Sequence, residues 1–287
     1  MATLSINPQE FSLLRDYIEK KCSISLSEEK KYLLESRLTR LVVENGCTSF
    51  NEFYHNVVSK NDPGIKNKIV DAMTTNETLW FRDSSPWVAL LEQVLPELAN
   101  RGRTIPGQKF RIWSAACSTG QEIYTIAMLI DDFCQKNPGK GLKPDRFEIM
   151  GTDISTSALF IAMAGRYDRI SMNRGLVGDW ERFKSRYFEK KGMISTISSD
   201  LKSRVQFKQY NLQDSFAPLG NFDIVFLRNV AIYFSDDFKR NLFARIKGAM
   251  NQKGYLFLGS AETLTGYLDT MERETHGKSS FYRNNGV

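Results

Sequence analysis

Apolar positions recur along this chain at two different periods, and the change from one to the other falls near residue 110. Upstream, residues 8–58 carry the spacing of amphipathic helices. In SLSEEKKYLLESRLTRL, Leu34, Leu38 and Leu41 fall at i, i+4 and i+7 on one face. Ser27 ahead of Glu28 and Glu29 has the chemistry of a helix start: a hydroxyl to cap free amides, and acids facing the positive end of the helix dipole. CTSFNEFYHNVV repeats the spacing with Phe50, Phe53, Tyr54 and Val57, and NDPG at 61–64 reads as a turn. A small helical bundle is expected.

Downstream, short apolar runs alternate with helical stretches. The expected strands are 110–115 (FRIWSA), 147–153 (FEIMGTD), 204–208 (RVQFK), 222–228 (FDIVFLR), 254–260 (GYLFLGS) and 280–283 (SFYR). Between them lie QEIYTIAMLIDDFC, STSALFIAMAG and SDDFKRNLFARIKGAM. Apolar strands separated by helices predict an α/β fold with a mostly parallel, doubly wound sheet. The division is a helical N-terminal domain at 1–72, a linker at 73–90 and an α/β domain at 91–287. In the linker, polar Asn76, Thr78 and Arg82 are interleaved with Leu79, Trp80 and Phe81, and Ser85-Pro86 marks the start of a helix.

Composition narrows the chemistry. At 287 residues, with 41% apolar and 25% charged residues, the chain is ordinary for a soluble protein. The N-terminus MATLSINPQE lacks the charged and apolar regions of a signal peptide, so a cytoplasmic location is expected. Cys22, Cys47, Cys117 and Cys134 show no CxxC spacing. His55 and His276 are the only histidines, which excludes a His-rich zinc site. The net charge of +6 is matched by one segment: 166–208 holds eleven bases against five acids. Such a segment either forms a solvated surface or meets an acidic partner.

The most informative stretch is RIWSAACSTGQEIYT at 111–125, a strand, a tight turn and a helix beginning near Gly120. In a doubly wound sheet, ligands bind at the carboxyl ends of such strands. Gly120 stands alone, so the turn lacks the GxGxxG that closes on a pyrophosphate, and neither a P-loop nor a GxSxG elbow occurs. Small residues are followed by one carboxylate, Glu122, and the next strand ends in another, Asp153 of GTDIS, placed to accept the hydroxyls of a ribose. Two acids and no phosphate cradle suit a cationic nucleoside. S-adenosylmethionine fits that description better than NAD.

Five segments, TTNETLWFR, WSAACSTGQEIYTIAM, GTDIS, NL at 211–212 and FDIVFLRNVAIYF, stand in the order and context of one family. With the N-terminal helical pattern and GYLFLGSAETL, the chain resembles, over nearly its whole length, the CheR family of chemotaxis receptor glutamate methyltransferases. The resemblance implies a Rossmann-like methyltransferase domain with a small antiparallel subdomain at about 185–210, where RYFEKKGMISTIS reads as a hairpin. It implies that Asn76, Thr78 and Arg82 contact S-adenosylmethionine from the linker, with Glu122 and Asp153 on its polar ends. Asn211 and Leu212 would lie by the adenine, and Arg228 and Asn229 would close the pocket. Arg82 and Tyr233 would flank the methyl group and orient the acceptor carboxylate. Family members commonly show Pro in place of Ile123 and Cys in place of Leu227.

The implied acceptor is a glutamate in the cytoplasmic helices of a methyl-accepting chemotaxis receptor, with Arg37 and Arg40 as candidate contacts. An adaptor could regulate access. The loop between Phe188 and Met193 is short, which favours an enzyme independent of a receptor tail peptide. A monomer is the default. The turn RNVAIY lacks the [DN]PP[YFW] of base N-methylation, and no Pro-Cys pair supplies a cytosine C5 nucleophile, so nucleic acid is a poor second substrate. The same residues would also serve a non-catalytic S-adenosylmethionine-binding module in signalling or, less well, an NAD-dependent oxidoreductase.

Overall fold

The computed structural model describes residues 4–105 and 107–286. The first domain packs α1 (Pro8–Cys22), α2 (Lys31–Glu44), α3 (Phe50–Lys60) and α4 (Pro63–Met73) around Leu34, Leu38, Phe50, Phe53 and Val57, all buried. Asn7 caps α1 reciprocally: its side chain accepts from the Glu10 amide and the Glu10 carboxylate accepts from the Asn7 amide, each at 2.9 Å. The other Glu10 oxygen accepts from the Asn51 amide at 3.0 Å and ties α1 to α3. Two expectations are corrected here. Ser27 precedes a 3-10 turn, Glu28–Lys30, and its hydroxyl caps nothing, because α2 begins only at Lys31. NDPG opens α4 instead of forming a free turn: Asp62 accepts from the Gly64 amide at 2.8 Å and Pro63 takes the first helical position, where its missing N–H costs nothing.

The linker enters α5 (Ser85–Ala89), which runs through a π-turn (Leu90–Val94) into α6 (Leu95–Thr104). The second domain then follows in order: β1 (Phe110–Ala115), α7 (Gln121–Lys136), β2 (Phe147–Asp153), α8 (Thr156–Ala164), β3 (Arg166–Asp168), α9 (Arg169–Asn173), α10 (Arg182–Tyr187), β4 (Phe188–Lys191), β5 (Ile194–Ile197), α11 (Ser199–Ser203), β6 (Val205–Gln209), β7 (Phe222–Leu227), α12 (Asp236–Gly248), β8 (Met250–Leu258), β9 (Glu272–His276) and β10 (Ser279–Asn284).

Seven strands form one sheet in the order β6-β2-β1-β7-β8-β10-β9. The first five are mutually parallel, and β10 and β9 are antiparallel additions. β1 is central, pairing Ala115 with Thr152 of β2 on one side and with Leu227 of β7 on the other. The chain therefore winds away from β1 in two directions, which opens a crevice beyond its carboxyl end. Two of the edge features escaped the sequence pattern. β9 (ERETH) has no apolar alternation because it lies at the sheet edge, and β8 begins at Met250, ahead of the expected Gly254.

A separate three-stranded antiparallel sheet, β3-β5-β4, forms the small subdomain. It draws on 166–168 as well as the hairpin, so the expected range of about 185–210 starts too late, and 205–209 belongs to the main sheet.

The basic stretch also reads differently once folded. Arg182 makes a two-pronged contact with Asp132 at 2.9 Å, Arg186 reaches the same carboxylate at 2.9 Å, and Arg204 pairs with Asp131 at 2.7 Å. Both acids are buried on α7, outside the basic segment, and the Arg182 contact helps hold the Asp132 carboxyl below its usual range against burial, which pushes the other way. Much of the apparent charge excess is thus an internal clasp that binds the small subdomain to α7.

Candidate active site

The crevice beyond β1 is a cleft lined by the turns that follow β1, β2, β6 and β7 and by the linker. Asn76, Thr78, Arg82, Glu122, Asp153, Asn211, Leu212, Arg228, Asn229 and Tyr233 all line it. Backbone strain concentrates on the same walls. Among the described residues nine non-glycines have positive φ, and six of them are Phe81, Asp83 and Ser84 in the linker, Ala116 and Ser118 after β1, and Asn229 after β7. Such conformations persist only where the surroundings over-determine them. Gly120 caps α7 at φ +93°, and a Cβ there would lie 2.9 Å from the Ala162 Cβ, so the turn needs glycine for both its conformation and its close packing.

Arg228 supplies much of that constraint. Its guanidinium is buried at the end of β7 and donates to Glu122 Oε2 at 2.9 Å, to the Arg82 carbonyl at 2.8 Å and to Asp83 Oδ2 at 2.9 Å. Its Cζ lies 5.0 Å from the centre of the Trp87 ring, and the Trp87 indole N–H donates to the same Arg82 carbonyl at 3.0 Å. Arg228 therefore does more than close the pocket: it fastens the linker to the sheet. Gly175 secures the linker from the other side, where a Cβ would overlap the Trp80 carbonyl.

The two acids have different surroundings. Burial raises the Glu122 carboxyl above its ordinary value, and the Arg228 charge and a hydrogen bond from Ser114 Oγ at 2.8 Å oppose that shift. Burial also raises Asp153, against amide bonds from Ser155 at 2.9 Å and Ser118 at 2.8 Å. Asp153 lines the cleft, and its carboxylate has more acceptor sites than these amides fill. Ser118 is no nucleophile, since its hydroxyl donates to the Asn76 carbonyl at 2.9 Å and helps hold the linker. Cys117 is fully buried and its thiol is pushed well up by burial, which keeps it inert.

Asn229 occupies the left-handed region at φ 58°, and its side-chain oxygen is buried with no partner. The turn it opens is held by Glu262, whose carboxylate accepts from the amides of Asn229 (2.7 Å), Val230 (3.0 Å), Ala231 (2.8 Å) and Gly259 (2.8 Å). Nothing in the local pattern of SAETL singles out Glu262, because three of its four amide partners lie some thirty residues away. The same turn ends in Tyr233, half-buried on the cleft wall; Arg82, which also lines the cleft, donates to the Glu77 carbonyl at 3.3 Å.

The helical domain takes a direct part that its periodicity did not announce. Cys22 and Ile24 line the cleft, Ser25 N–H donates to the Tyr233 carbonyl at 2.9 Å, and Ile24 forms a bridge with Phe234. Asn211 lines the cleft beside Leu212, but its amide donates to the Lys21 carbonyl at 2.8 Å and so also joins the two domains. Arg37 is half-buried and donates to the Met73 carbonyl at 2.6 Å and to Thr75 Oγ1 at 2.9 Å, anchoring the start of the linker. Arg40 is exposed and pairs with its own helix neighbour Glu44 at 2.6 Å.

The family profile described as "CheR methyltransferase, all-alpha domain" matches residues 9–74, and "CheR methyltransferase, SAM binding domain" matches 76–280. The chain belongs to the CheR methyltransferase family. It is 44% identical over 275 residues to "Chemotaxis protein methyltransferase 1" of Pseudomonas aeruginosa, covering 96% of this chain and 97% of the relative. "Chemotaxis protein methyltransferase Cher2" of Pseudomonas putida is 44% identical over 267 residues, 93% and 94% of the two chains. A Vibrio cholerae relative, "Chemotaxis protein methyltransferase 1", is 41% identical over 273 residues, 95% of each chain. This CheR chain is an S-adenosylmethionine-dependent methyltransferase of chemotaxis, and S-adenosylmethionine is its cofactor.

The residues present fit that cofactor. A ribose needs an acceptor carboxylate, which Asp153 offers, and a zwitterionic amino acid end needs both a donor and an acceptor. Arg228 Nε and Asn229 Oδ1 are buried on or against the cleft with no protein partner, one a donor and one an acceptor. Leu212, Ile24 and Ile154 give an apolar wall for a flat base.

Because Asp153 is raised by burial, it takes up a proton at a higher pH than an ordinary carboxylate does. Affinity for S-adenosylhomocysteine should be full at neutral pH and fall as pH drops through that raised value, as followed by calorimetry. Asp153→Asn should flatten this acid limb and weaken binding by roughly 1.5–3 kcal/mol, the worth of a charged hydrogen bond. Unchanged affinity in the folded variant would make Asp153 purely structural.

Proposed function

We propose that the enzyme transfers the methyl group of S-adenosylmethionine to glutamate side-chain carboxylates of methyl-accepting chemotaxis receptors, giving glutamyl methyl esters. The observation that carries this reading is the composition of the open wall: Arg82 and Tyr233 bring hydrogen-bonding groups to the cleft, and no histidine lines it. His55 lies on α3, and His276 contacts Glu92 at 2.8 Å. A glutamate acceptor is already ionised at neutral pH, its ordinary pKa being about 4.3, so the reaction needs no general base. An amine or hydroxyl acceptor would.

The bound cofactor supplies an electrophilic methyl on a sulfonium. The protein then has to hold a carboxylate oxygen in line with it, and positioning of this kind can contribute on the order of 7–11 kcal/mol. Arg82 and Tyr233 are the proposed orienting groups. Asn76, Thr78, Glu122, Asp153, Asn211, Leu212, Arg228 and Asn229 are the proposed cofactor contacts. Arg37 and Arg40 on α2 are the proposed receptor-facing bases, Arg40 exposed and Arg37 also tied to the linker. We place the enzyme in the cytoplasm, as a monomer acting on cytoplasmic receptor helices, with access open to control by an adaptor.

β4 and β5 are joined by a two-residue turn, Gly192–Met193, which supports methylation without a receptor tail peptide. Tight binding of such a peptide to the isolated protein would contradict this part of the reading.

The main test incubates the protein with methyl-labelled S-adenosylmethionine and membranes carrying the chemoreceptors. Label on the receptor should be released as methanol by mild base. Tyr233→Phe should lower turnover several-fold while leaving S-adenosylhomocysteine affinity near wild type. Base-stable label, or wild-type turnover in Tyr233→Phe, would overturn the ester or the role of Tyr233 respectively.

A further inference from the structure

A second cavity lies beside the first at the carboxyl end of β8. It is walled by the linker turn at Asp83 and Ser85, the loop Leu258–Thr263 and the β9–β10 hairpin. Only two residue pairs separate it from the cofactor cleft. Asp83 faces the second cavity and pairs with Arg228 of the first, and Glu262 faces the second and holds Asn229 of the first.

The charges of its lining are unequal. Its two acids are spoken for, Asp83 by the Arg228 guanidinium and Glu262 by four backbone amides. Its two cations, Arg273 and Lys278, are exposed, and neither side chain has a hydrogen-bond or carboxylate partner among the described residues. Next to Lys278, at the start of β10, Ser279 is 3% exposed and its hydroxyl is buried without a partner. A buried hydroxyl left unpaired costs roughly 1–3 kcal/mol. Ser85, Ser260 and Ser280 add further hydroxyl groups around the same space. Free cations and spare hydroxyl donors around an open cavity are the complement of an oxygen-rich anion.

We infer that this cavity is a secondary acceptor subsite, which takes an acidic side chain of the protein being methylated while a second carboxylate of that protein enters the cofactor cleft. The inference rests on the glutamate-methylating reading above. On that reading the acceptor helices are acidic, and the shared wall sets the two carboxylates on neighbouring positions of one surface. Arg273 and Lys278 draw the acidic segment in, and the unpartnered Ser279 hydroxyl in the same wall is a further donor for its carboxylate. None of the three touches the cofactor cleft.

The test measures initial rates of receptor methylation against receptor concentration. In the double variant Arg273→Ala/Lys278→Ala, the receptor KM should rise about tenfold, equivalent to the loss of two modest charge contacts. The turnover number and S-adenosylhomocysteine affinity should stay unchanged. Added salt should raise the wild-type KM more steeply than that of the double variant, because the attraction removed is screened. The charge-conserving pair Arg273→Lys/Lys278→Arg should keep a near-wild-type KM. Ser279→Ala should raise KM several-fold with no loss of thermal stability.

An unchanged KM in the double variant overturns the inference, and so does a KM that moves only together with S-adenosylhomocysteine affinity, which would mark a structural role. If the wild type methylates no receptor at all, the reading on which the subsite rests fails first.

Discussion

The site depends on one buried cation. Arg228 emerges from the end of a central strand and meets the linker carbonyl of Arg82, the linker acid Asp83 and the helix acid Glu122 at 2.8 to 2.9 Å. A guanidinium can satisfy three acceptors at once because its donors are fixed in a planar fork, which a lysine could not reproduce. Burying that charge costs several kcal/mol unless it is paired, and here two carboxylates offset the cost. The same three contacts hold one wall of the cofactor cleft against another. The linker is thus part of the active site because the sheet's own cation requires its oxygens.

Around this brace the fold stores strain where function needs it. The linker turns through left-handed conformations at Phe81, Asp83 and Ser84, and the turns after β1 and β7 do so at Ala116, Ser118 and Asn229. Specific partners pin several of these residues. Ser118 is tied to Asn76, Asn229 to Glu262, and Phe81 stacks on Trp180 with centroids 4.4 Å apart. The helical domain completes the enclosure, since Ser25 and Lys21 bond directly to the turns that carry Tyr233 and Asn211. The cleft is therefore walled by both domains as a single mechanical unit.

Much of this was legible in the sequence, for identifiable reasons. Strands β1, β2, β7 and the helices between them are long, buried and strongly patterned, so Phe110–Ala115, Phe147–Asp153 and Phe222–Leu227 could be bounded to within a residue. Glu122 and Asp153 could be placed because they follow strand ends, where a doubly wound sheet presents its ligand groups. What escaped were interactions between distant segments. Glu262 gives no local signal, its value lying in amides of another turn. Arg37 looks like any exposed helical base until α4 ends beside it. The bases of 166–208 could have formed a solvated or a partner surface, yet Arg182, Arg186 and Arg204 are bound to acids on α7, which no count within the segment could reveal. β9 lacked a pattern because edge strands need not alternate.

The claim on which the rest stands is that Arg228 holds the linker in place before any ligand arrives. Native-state hydrogen exchange on the ligand-free Arg228→Met protein tests it most directly, because exchange reads local opening segment by segment. The linker amides of 77–84 should exchange at least about tenfold faster than in wild type, corresponding to about 1.4 kcal/mol or more of lost local stability, with β1, β2 and β7 unchanged. Wild-type protection of 77–84 in that variant would show that the linker is held by its aromatic packing alone and would contradict the account.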